Sequence, residues 1–394
     1  MTYGRESVYL DHAATTPVDP AVVNVMLPYF TQEFGNPSSI YRSGQDAHAA
    51  LDRARTQIAT VLGSRTSEII FTSGATESIN LALRGAAWAA RLRAPDASTP
   101  HIVSSAVEHH AVLHTLDALA RQGFAITLVP VDETGRVDSA DVIAAIRPET
   151  CLVSVMLANN EVGTIQPVAE IGAEVRARGI PMHTDAVQAA GSLPLNVNAL
   201  NVDLLSLSAH KFYGPKGVGL LYVRKGSQLE WTQEGGGQES GRRGGTENTA
   251  YIAGLGEALA RAEQGRENYV THTAGLRDYL WRAIRDRVDD VSLNGPEPGP
   301  HRLSNNLNIT IDGVQGETVL LSLDIMGIEA SAGSACTTGN SEPSHVLLAM
   351  GLSEEDARAS LRLTVGRGNS IDEMDRAADA LAEVVDRIRM LAGR

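Results

Sequence analysis

The sequence predicts an α/β protein whose larger part is a mostly parallel sheet covered by helices, followed by a smaller α/β part. Two observations predict the large sheet: short apolar runs alternate with longer stretches of helical spacing, and turn residues separate them. A third observation predicts the smaller part. After about residue 250 the chain changes to long charged helices around a few strands.

The elements follow in order along the chain. Apolar residues recur at three- and four-residue steps over 47–62, which predicts a helix, and the run EIIFTS predicts the strand after it. Further strands are predicted at HIVSS, AITLVP, CLVSVML, PMHTD, DLLSLS and VGLLYV, and helices at 76–92, 110–122 and 168–178. In the smaller part, NNLNITI and SLRLTV are predicted strands.

Length and composition limit the functional classes. The 394 residues are enough for two or three domains. With 33 basic and 47 acidic residues the net charge is −14, which gives no overall attraction to nucleic acid or anionic lipid. No window approaches the roughly 18 apolar residues of a membrane span, and the first residues lack the apolar core of a signal peptide. We expect a cytoplasmic protein with no nucleic-acid or membrane partner.

An anion site is predicted where the first large-sheet strand ends. Parallel sheets bind ligands beyond the carboxyl ends of their strands. SGATES, residues 73–78, follows a predicted strand and opens a helix, so backbone N–H groups and the hydroxyls of Thr76 and Ser78 can bind a phosphate. An ordinary helix cap by Ser73 or Thr76 explains the same residues. No P-loop motif occurs, and the glycines of GPKGVG precede a strand, which argues against a dinucleotide site.

Titratable residues follow three other predicted strands. His109 and His110 follow HIVSS, Asp185 and Gln188 lie at the end of PMHTD and just after it, and Lys211 follows DLLSLS. Each residue alone is explained by capping or by solvent exposure. Together with a phosphate site they are the groups that pyridoxal phosphate requires: a lysine for its aldehyde and an acid for its ring nitrogen.

The motifs resemble those of the cysteine desulfurases of the NifS and IscS type, within the class V aminotransferase family of pyridoxal phosphate enzymes. The resemblance spans nearly the whole chain and rests on YLDHAATTP, FGNPSS, FTSGATES, EHHAV, ANNEVGTIQP, HTDAVQ, SAHKFYGPKGVG, GGGQE, GGTEN, GSACTTGNSEPSHV and SLRLTVG. It implies the type I fold of pyridoxal phosphate-dependent transferases. The large domain would cover 15–255 and the small domain 1–14 and 256–394.

The resemblance also implies roles for individual residues. Lys211 would hold the cofactor aldehyde and then move protons at the substrate carbon, Asp185 would pair with the ring nitrogen, and His109 would stack on the ring and take part in proton transfer. The other implied cofactor contacts are Gln188 and Asn160 near the phenolic oxygen, and Ala75, Thr76, Ser208 and His210 at the phosphate. Arg362, assisted by Asn36, would bind the substrate carboxylate.

The Gly-rich stretch 234–248 is either a domain linker or a binding loop by composition alone. It differs from some relatives by a second arginine and an extra glycine. The resemblance implies that Thr246 in this stretch completes the phosphate site of a neighbouring subunit, so we expect a homodimer.

The two cysteines have different surroundings. Cys336 lies in SAGSACTTGNSE, whose small residues predict a mobile loop and an exposed thiol, whereas Cys151 begins the apolar run CLVSVML and should be buried and inert. Their wide separation and the absence of a CxxC pattern predict neither a disulfide nor a metal site.

The resemblance implies that Cys336 attacks the sulfur of bound L-cysteine, which leaves an enzyme persulfide and L-alanine. The sequence after Cys336 is similar to the group that passes sulfur to an acceptor protein such as an iron–sulfur scaffold. Two alternatives remain open: a selenocysteine lyase or other class V enzyme without a persulfide, and a non-catalytic sulfur-carrier scaffold with the same fold.

Overall fold

The computed structural model of the protein describes residues 7–93, 99–332 and 342–393. The strands in these ranges are β1 (Val8–Tyr9), β2 (Ile69–Thr72), β3 (His101–Ser105), β4 (Ala125–Val129), β5 (Thr150–Ser154), β6 (Met182–Asp185), β7 (Leu204–Ser208), β8 (Gly219–Val223), β9 (Val291–Leu293), β10 (Asn306–Ile311), β11 (Ile328–Glu329) and β12 (Ser360–Thr364). The helices are α1 (Pro20–Met26), α2 (Pro28–Thr31), α3 (Arg42–Leu62), α4 (Ala75–Arg93), α5 (His110–Arg121), α6 (Ser139–Ala144), α7 (Val168–Ala177), α8 (Gln238–Gly241), α9 (Thr249–Gln264), α10 (Arg266–Arg285), α11 (Gly316–Ile325), α12 (His345–Ala349), α13 (Glu354–Arg358) and α14 (Ile371–Leu391).

The large sheet has the strand order β2-β8-β7-β6-β5-β3-β4. The neighbouring strands β7, β6, β5, β3 and β4 pair in parallel. In this sheet, β8 runs antiparallel to both of its neighbours, β2 and β7. Every residue of β2, β3, β6, β7 and β8 is buried, whereas the edge strand β4 is partly exposed. Burial on both faces explains why these strands occur in the sequence as short, nearly continuous apolar runs. The predicted mostly parallel sheet is confirmed.

Helices cover both faces of this sheet because successive strand side chains point to opposite faces. One core joins Ile69 and Phe71 of β2 to α3, α7 and α9, and the opposite core joins Ile70 to α4 and α5. The helix predicted at 47–62 begins earlier, at Arg42. It ends where Gly63 adopts a left-handed conformation, with φ 64°.

The second part is built on a three-stranded antiparallel sheet of order β12-β10-β9. Its core combines α10, α11 and α14 with Val8 and Leu10, because β1 pairs in parallel with β11. The N-terminal segment therefore packs with the C-terminal part, as the expected composition of the small domain requires. The domain boundaries at 14/15 and 255/256 stay a prediction; α9 crosses the second one and packs into the core of the large sheet through Leu255 and Leu259.

None of the described helices combines the length and the apolar sequence that a bilayer-crossing segment needs.

Candidate active site

A cavity of about 620 Å³ lies at the edge where the parallel strands end. The carboxyl ends of β3, β5, β6 and β7 meet at this edge because these strands run in one direction. Ten of the sequence-predicted site residues line the cavity: Ala75, Thr76, His109, Asn160, Asp185, Gln188, Ser208, His210, Lys211 and Arg362. The structure thus brings together residues that lie up to 287 positions apart, from Ala75 to Arg362.

Lys211 ends a 3₁₀ turn, Ala209–Lys211, that directly follows β7. Its Nζ donates to the backbone carbonyls of Ala13 at 2.6 Å and Ala14 at 2.8 Å. The N-terminal segment was not predicted as part of the site. The motif YLDHAATTP, in which these alanines lie, was the signal that could have found it.

Asp185 is the last residue of β6 and is buried. Burial raises the pKa of its carboxyl to about 6, although a hydrogen bond from the Val187 backbone N–H to Oδ1 at 2.9 Å and the charge of Lys211 both act to lower it. A carboxyl with this pKa gains strongly from a cation placed beside it. It therefore suits a protonated ring nitrogen.

Two histidines beside Lys211 are held neutral. His109 caps α5, and its Nδ1 accepts a hydrogen bond from the Ala111 N–H at 3.0 Å, so the neutral ring carries its proton on Nε2. Burial, and then the charge of Lys211, lower the pKa of His109 to about 4. The same two causes lower the pKa of His210 to about 4, and its Nδ1 lies 3.2 Å from Thr15 Oγ1.

The start of α4 forms the anion-binding side of the cavity. Ala75 is its first residue, and the N–H groups of a first helical turn have no intrahelical acceptor. Thr76, Ser208 and His210 surround this turn, and Lys216, which the sequence analysis did not include, adds a positive charge. The expectation for Ser78 was wrong: its hydroxyl is buried and lies 2.8 Å from Thr72 Oγ1, so it stabilises the turn and does not face the cavity.

Arg362 enters the cavity from the middle of β12 and is almost fully buried. Its Nη2 donates to Asp11 Oδ1 at 2.9 Å and its Nη1 to the Asn160 carbonyl at 3.1 Å. Its Nε has no hydrogen-bond partner among the residues that the structure describes. A buried guanidinium with an unused donor at a cavity wall suits a carboxylate ligand.

Glu108, directly before His109, is a buried acid that the sequence analysis did not consider. Its Oε1 accepts hydrogen bonds from Ser105 Oγ at 2.7 Å and from the Met156 N–H at 2.9 Å. Burial, and to a lesser degree the charge of Asp185, raise the pKa of Glu108 to about 8, although both hydrogen bonds oppose the shift. The sequence did contain a signal for Glu108: it directly follows an apolar run and is the first residue of the motif EHHAV.

A cluster of imidazoles lies at the cavity wall. His110 stacks on His114 with ring centroids 4.9 Å apart, and its ring lies 4.6 Å from that of His345. His345 Nε2 donates to the Glu108 carbonyl at 2.9 Å. Within the described ranges, no group of three or more His, Cys, Asp or Glu side chains is placed so that it could hold a metal ion.

Two predicted residues do not reach the cavity of this chain. Asn36 and Thr246 are exposed, and Asn36 Oδ1 accepts instead from the Ser38 N–H at 2.9 Å. The Gly-rich stretch around Thr246 is attached to β2, through a hydrogen bond from the Phe71 N–H to Glu239 Oε2 at 3.1 Å, and to helices α3 and α4. Arg55 pairs with Glu239 at 2.8 Å, and Arg243, one of its two arginines, pairs with Glu77 at 2.7 Å.

The structure describes one of the two cysteines, Cys151. Cys151 lies in β5 and is partly rather than fully buried. Burial raises the pKa of its thiol to about 11, so it stays protonated and unreactive at neutral pH, which agrees with the predicted inert role. Cys336 lies outside the described residues.

The cavity fits pyridoxal phosphate. A helix N-terminus with adjacent hydroxyls suits the phosphate, and a buried carboxyl suits the ring nitrogen. A lysine between them suits the aldehyde.

Three comparisons with known proteins agree with this arrangement. The family model for class V aminotransferases matches residues 8–376. The cysteine desulfurase IscS of Clostridium botulinum (strain Hall) is 45% identical over 388 residues, which cover 98% of this chain and 96% of that protein.

Two solved structures are similar in fold and sequence. A NifS-like protein superimposes with a TM-score of 0.89 at 36% identity, covering 97% of this chain and 100% of its own. SspA in complex with cysteine gives a TM-score of 0.79 at 38% identity, covering 91% and 99%. These matches confirm the resemblance that the motifs carry.

Proposed function

This chain belongs to the class V aminotransferase family and is a pyridoxal phosphate-dependent cysteine desulfurase of the NifS/IscS type, and from that premise we propose how its own residues act. L-cysteine is converted to L-alanine, and the sulfur passes to Cys336 as a persulfide. The observation that carries the proposal is the meeting of Lys211, Asp185 and His109 at one sheet edge, with Arg362 at the same cavity.

The cavity lining would hold the cofactor from three sides. The first turn of α4, with Ala75 and Thr76, would bind the phosphate together with Ser208 and His210, and Lys211 Nζ would hold the aldehyde; all five residues line the cavity. Gln188 and Asn160 orient the phenolic oxygen. When bound, pyridoxal phosphate withdraws electrons from the substrate α-carbon, and the negative charge of Asp185 supports this by keeping the ring nitrogen protonated.

Proton transfer is assigned to Lys211 and His109. Lys211 Nζ would hold the aldehyde of the cofactor in the resting enzyme and would remove the α-proton of the bound substrate. His109 is neutral with Nε2 protonated, so it can stack on the ring without adding a second positive charge beside Lys211. Its Nε2–H is available as a proton donor to the substrate.

Substrate orientation is assigned to Arg362. Its guanidinium binds the L-cysteine carboxylate, while Asp11 and the Asn160 carbonyl keep the guanidinium in place. Asn36, which does not line the cavity of this chain, is given no part in this step. The bond from Nη2 to Asp11 means that the substrate carboxylate approaches an arginine whose orientation is already determined.

The sulfur transfer itself is assigned to Cys336. Its thiolate attacks the sulfur of bound L-cysteine, so an S–S bond forms as the substrate C–S bond breaks. The electron pair of the C–S bond stays with the carbon, which takes up protons and leaves as L-alanine. The persulfide on Cys336 is then available to an acceptor protein such as an iron–sulfur scaffold.

A homodimer accounts for the two residues that do not reach the cavity. Asn36 and Thr246 are exposed in the single chain, and Asn36 lies within a segment rich in exposed large apolar side chains: Leu27, Phe30, Phe34, Ile40 and Tyr41. Exposed apolar patches of this kind mark protein contacts. A second copy would cover the segment and bring its Thr246 to the phosphate site. The cytoplasmic location stays a prediction.

The test is the Cys336→Ser variant with Cys151→Ser as its control. A hydroxyl is a much weaker nucleophile toward sulfur than a thiolate, so we expect L-alanine formation from L-cysteine to fall at least on the order of 100-fold. The visible absorbance should still change when L-cysteine is added. Cys151→Ser should keep turnover, since that thiol stays protonated.

If the Cys336→Ser protein makes L-alanine at close to the parent rate, the persulfide route is wrong. A selenocysteine lyase or another class V enzyme without a persulfide then takes its place. A pure protein that binds no chromophore after reconstitution would instead favour a sulfur-carrier scaffold.

A further inference from the structure

A second cavity, of about 310 Å³, lies next to the cofactor cavity, and Lys211 and Gln188 line both. Its other walls come from the segment after β7, from α9 and α10, and from the N- and C-terminal parts of the chain. No step of the proposed reaction uses it. Its size lies at the lower end of the range in which proteins bind small molecules, roughly 300–1,000 Å³.

The lining of the second cavity is basic. Arg261, Arg367 and Lys211 line it, and among the residues that the structure describes no acidic side chain does. The carboxylates that pair with the arginines, Asp19 and Glu257, lie outside the lining; Asp19 is 2.9 Å from Arg367 and 3.4 Å from Arg261. A guanidinium carries several N–H donors in a planar fork, so one ion pair leaves donors for a second anion.

Neutral polar groups complete the wall. His12 is 7% exposed, and its Nδ1 is buried without a hydrogen-bond partner in the part of the chain that the structure describes. Burial lowers the pKa of His12 to about 4, so the ring is neutral at pH 7. Tyr269 is partly buried beside the cavity, and burial of its hydroxyl raises the pKa of that group well above the ordinary value. A flat carboxylate can place its charge on the arginines, whose side chains are 42–45% exposed, and its apolar body against these aromatic surfaces, which a compact inorganic ion cannot do.

Tyr213 connects this cavity to Lys211. Its φ of 65° places a bulky residue in the left-handed region, which is strained for a residue with a side chain. The conformation is held by a hydrogen bond from its N–H to Thr16 Oγ1 at 2.7 Å and by one from the Arg367 N–H to its hydroxyl at 2.9 Å. The Arg367 guanidinium also lies 3.8 Å from the centre of its ring. A ligand on Arg367 therefore acts on a strained residue two positions after Lys211.

We propose that the second cavity binds a small organic carboxylate with a flat apolar body. The bound carboxylate changes the position of Lys211 through Arg367 and Tyr213. The binding part of this inference does not depend on the proposed sulfur chemistry. The site adjoins the reaction centre and shares Lys211 and Gln188 with it, whereas Arg362, which is assigned to the substrate carboxylate, lines the cofactor cavity and not this one.

Benzoate is the probe, titrated into the holoenzyme by calorimetry, with benzamide as the uncharged compound of the same shape. We expect benzoate to bind once per chain and benzamide not to bind measurably. Arg367→Gln should weaken binding at least about tenfold, since it removes a charged hydrogen-bond donor. Arg285→Gln, whose guanidinium stacks on Trp281 away from the cavity, should bind benzoate like the parent protein.

Because Arg362 could also attract benzoate, Arg362→Gln separates the two sites: binding should persist in this variant. Binding that is lost in Arg362→Gln and kept in Arg367→Gln overturns the inference, and so does the absence of any binding to the parent protein. Arg261→Gln provides a second variant if Arg367→Gln does not fold, and it too should weaken binding.

The coupling to Lys211 has its own readout. Saturating benzoate should shift the visible absorbance of the holoenzyme, in the parent and in Arg362→Gln alike. Binding without any spectral change overturns the coupling through Tyr213, whatever the affinity.

Discussion

The two sheets of the protein supply the same cavity in different ways. The large parallel sheet contributes residues from the ends of its strands: His109 follows β3, Asp185 ends β6 and Lys211 follows β7. The small antiparallel sheet contributes Arg362 from the middle of β12. A parallel sheet gathers residues at one edge because its strands end together, whereas an antiparallel sheet has no such edge and supplies a single side chain from its surface.

The supporting contacts differ as well. The groups on the parallel edge are adjusted by burial and by one another, so that His109 is neutral and Asp185 has a pKa of about 6. Arg362 is instead held by Asp11 and the Asn160 carbonyl. Because of this difference, mutations should separate the two functions: a mutation at the edge of the large sheet should affect cofactor binding, and a mutation in the small sheet should affect substrate binding.

The largest effect is expected at Lys211. Lys211→Ala should lower turnover of L-cysteine by roughly 10⁴-fold or more, because it removes the covalent anchor of the cofactor and a proton carrier together. Reduction of the parent holoenzyme with borohydride should attach the cofactor mass to Lys211, as read by peptide mass spectrometry. Lys216→Ala is the matched control, since Lys216 lines the same cavity, and its adduct should still lie on Lys211. An adduct on Lys216 in the parent protein would refute the assignment.

The next largest effect is expected on the small sheet. Arg362→Gln should lower kcat/KM for L-cysteine by about 10²–10³-fold, the loss of a charged bidentate contact, while the protein keeps its chromophore. Arg287→Gln is the control: it breaks exposed ion pairs with Asp375 and Asp379 and should leave kcat/KM unchanged. A colourless Arg362→Gln protein would show that the two sheets do not divide the work as described.

A smaller effect is expected at Thr246, a residue that neither sheet brings to the cavity of its own chain. Thr246→Ala should weaken cofactor binding by about 1 kcal/mol, as the loss of one hydrogen bond does, measured as the concentration of pyridoxal phosphate that restores half of the activity. Mixed dimers of Thr246→Ala and Lys211→Ala chains should regain one intact site if Thr246 acts across the interface. No gain on mixing, or a fully active monomer, would place Thr246 in its own chain's site.

The last effect is on stability rather than on activity and involves Glu108, behind the parallel edge. Its folded pKa of about 8 lies above the ordinary glutamate value of 4.5, so the unfolded chain loses this proton first as the pH rises. The stability of the folded state therefore decreases between about pH 4.5 and 8, by a few kcal/mol at most. Glu108→Gln removes the titrating group, and its melting temperature should fall less over this pH range than that of the parent protein.

The exposed Glu317 is the control for this experiment, since Glu317→Gln should leave the pH profile as it is. Equal slopes for the Glu108→Gln and parent proteins would show that Glu108 is ionised in the folded state.

The sequence by itself determined the fold class, because the alternation of apolar runs and helical spacing is a local property that burial on both sheet faces imposes on each strand. It also determined the parallel-edge residues, since a residue that follows a parallel strand comes to the common edge whatever the rest of the chain does. The resemblance to a known family added Arg362, which a strand-end rule does not find.

Only the tertiary structure decided the rest. The contact from Arg362 to Asp11 joins residues 351 positions apart, and the contacts from Lys211 to Ala13 and Ala14 depend on how the N-terminal segment crosses the cavity. The raised pKa of Glu108 and the cavity beside Tyr213 depend on burial and on the packing of separate helices. These properties arise from long-range packing, which sets the surroundings of each side chain and which no local pattern encodes.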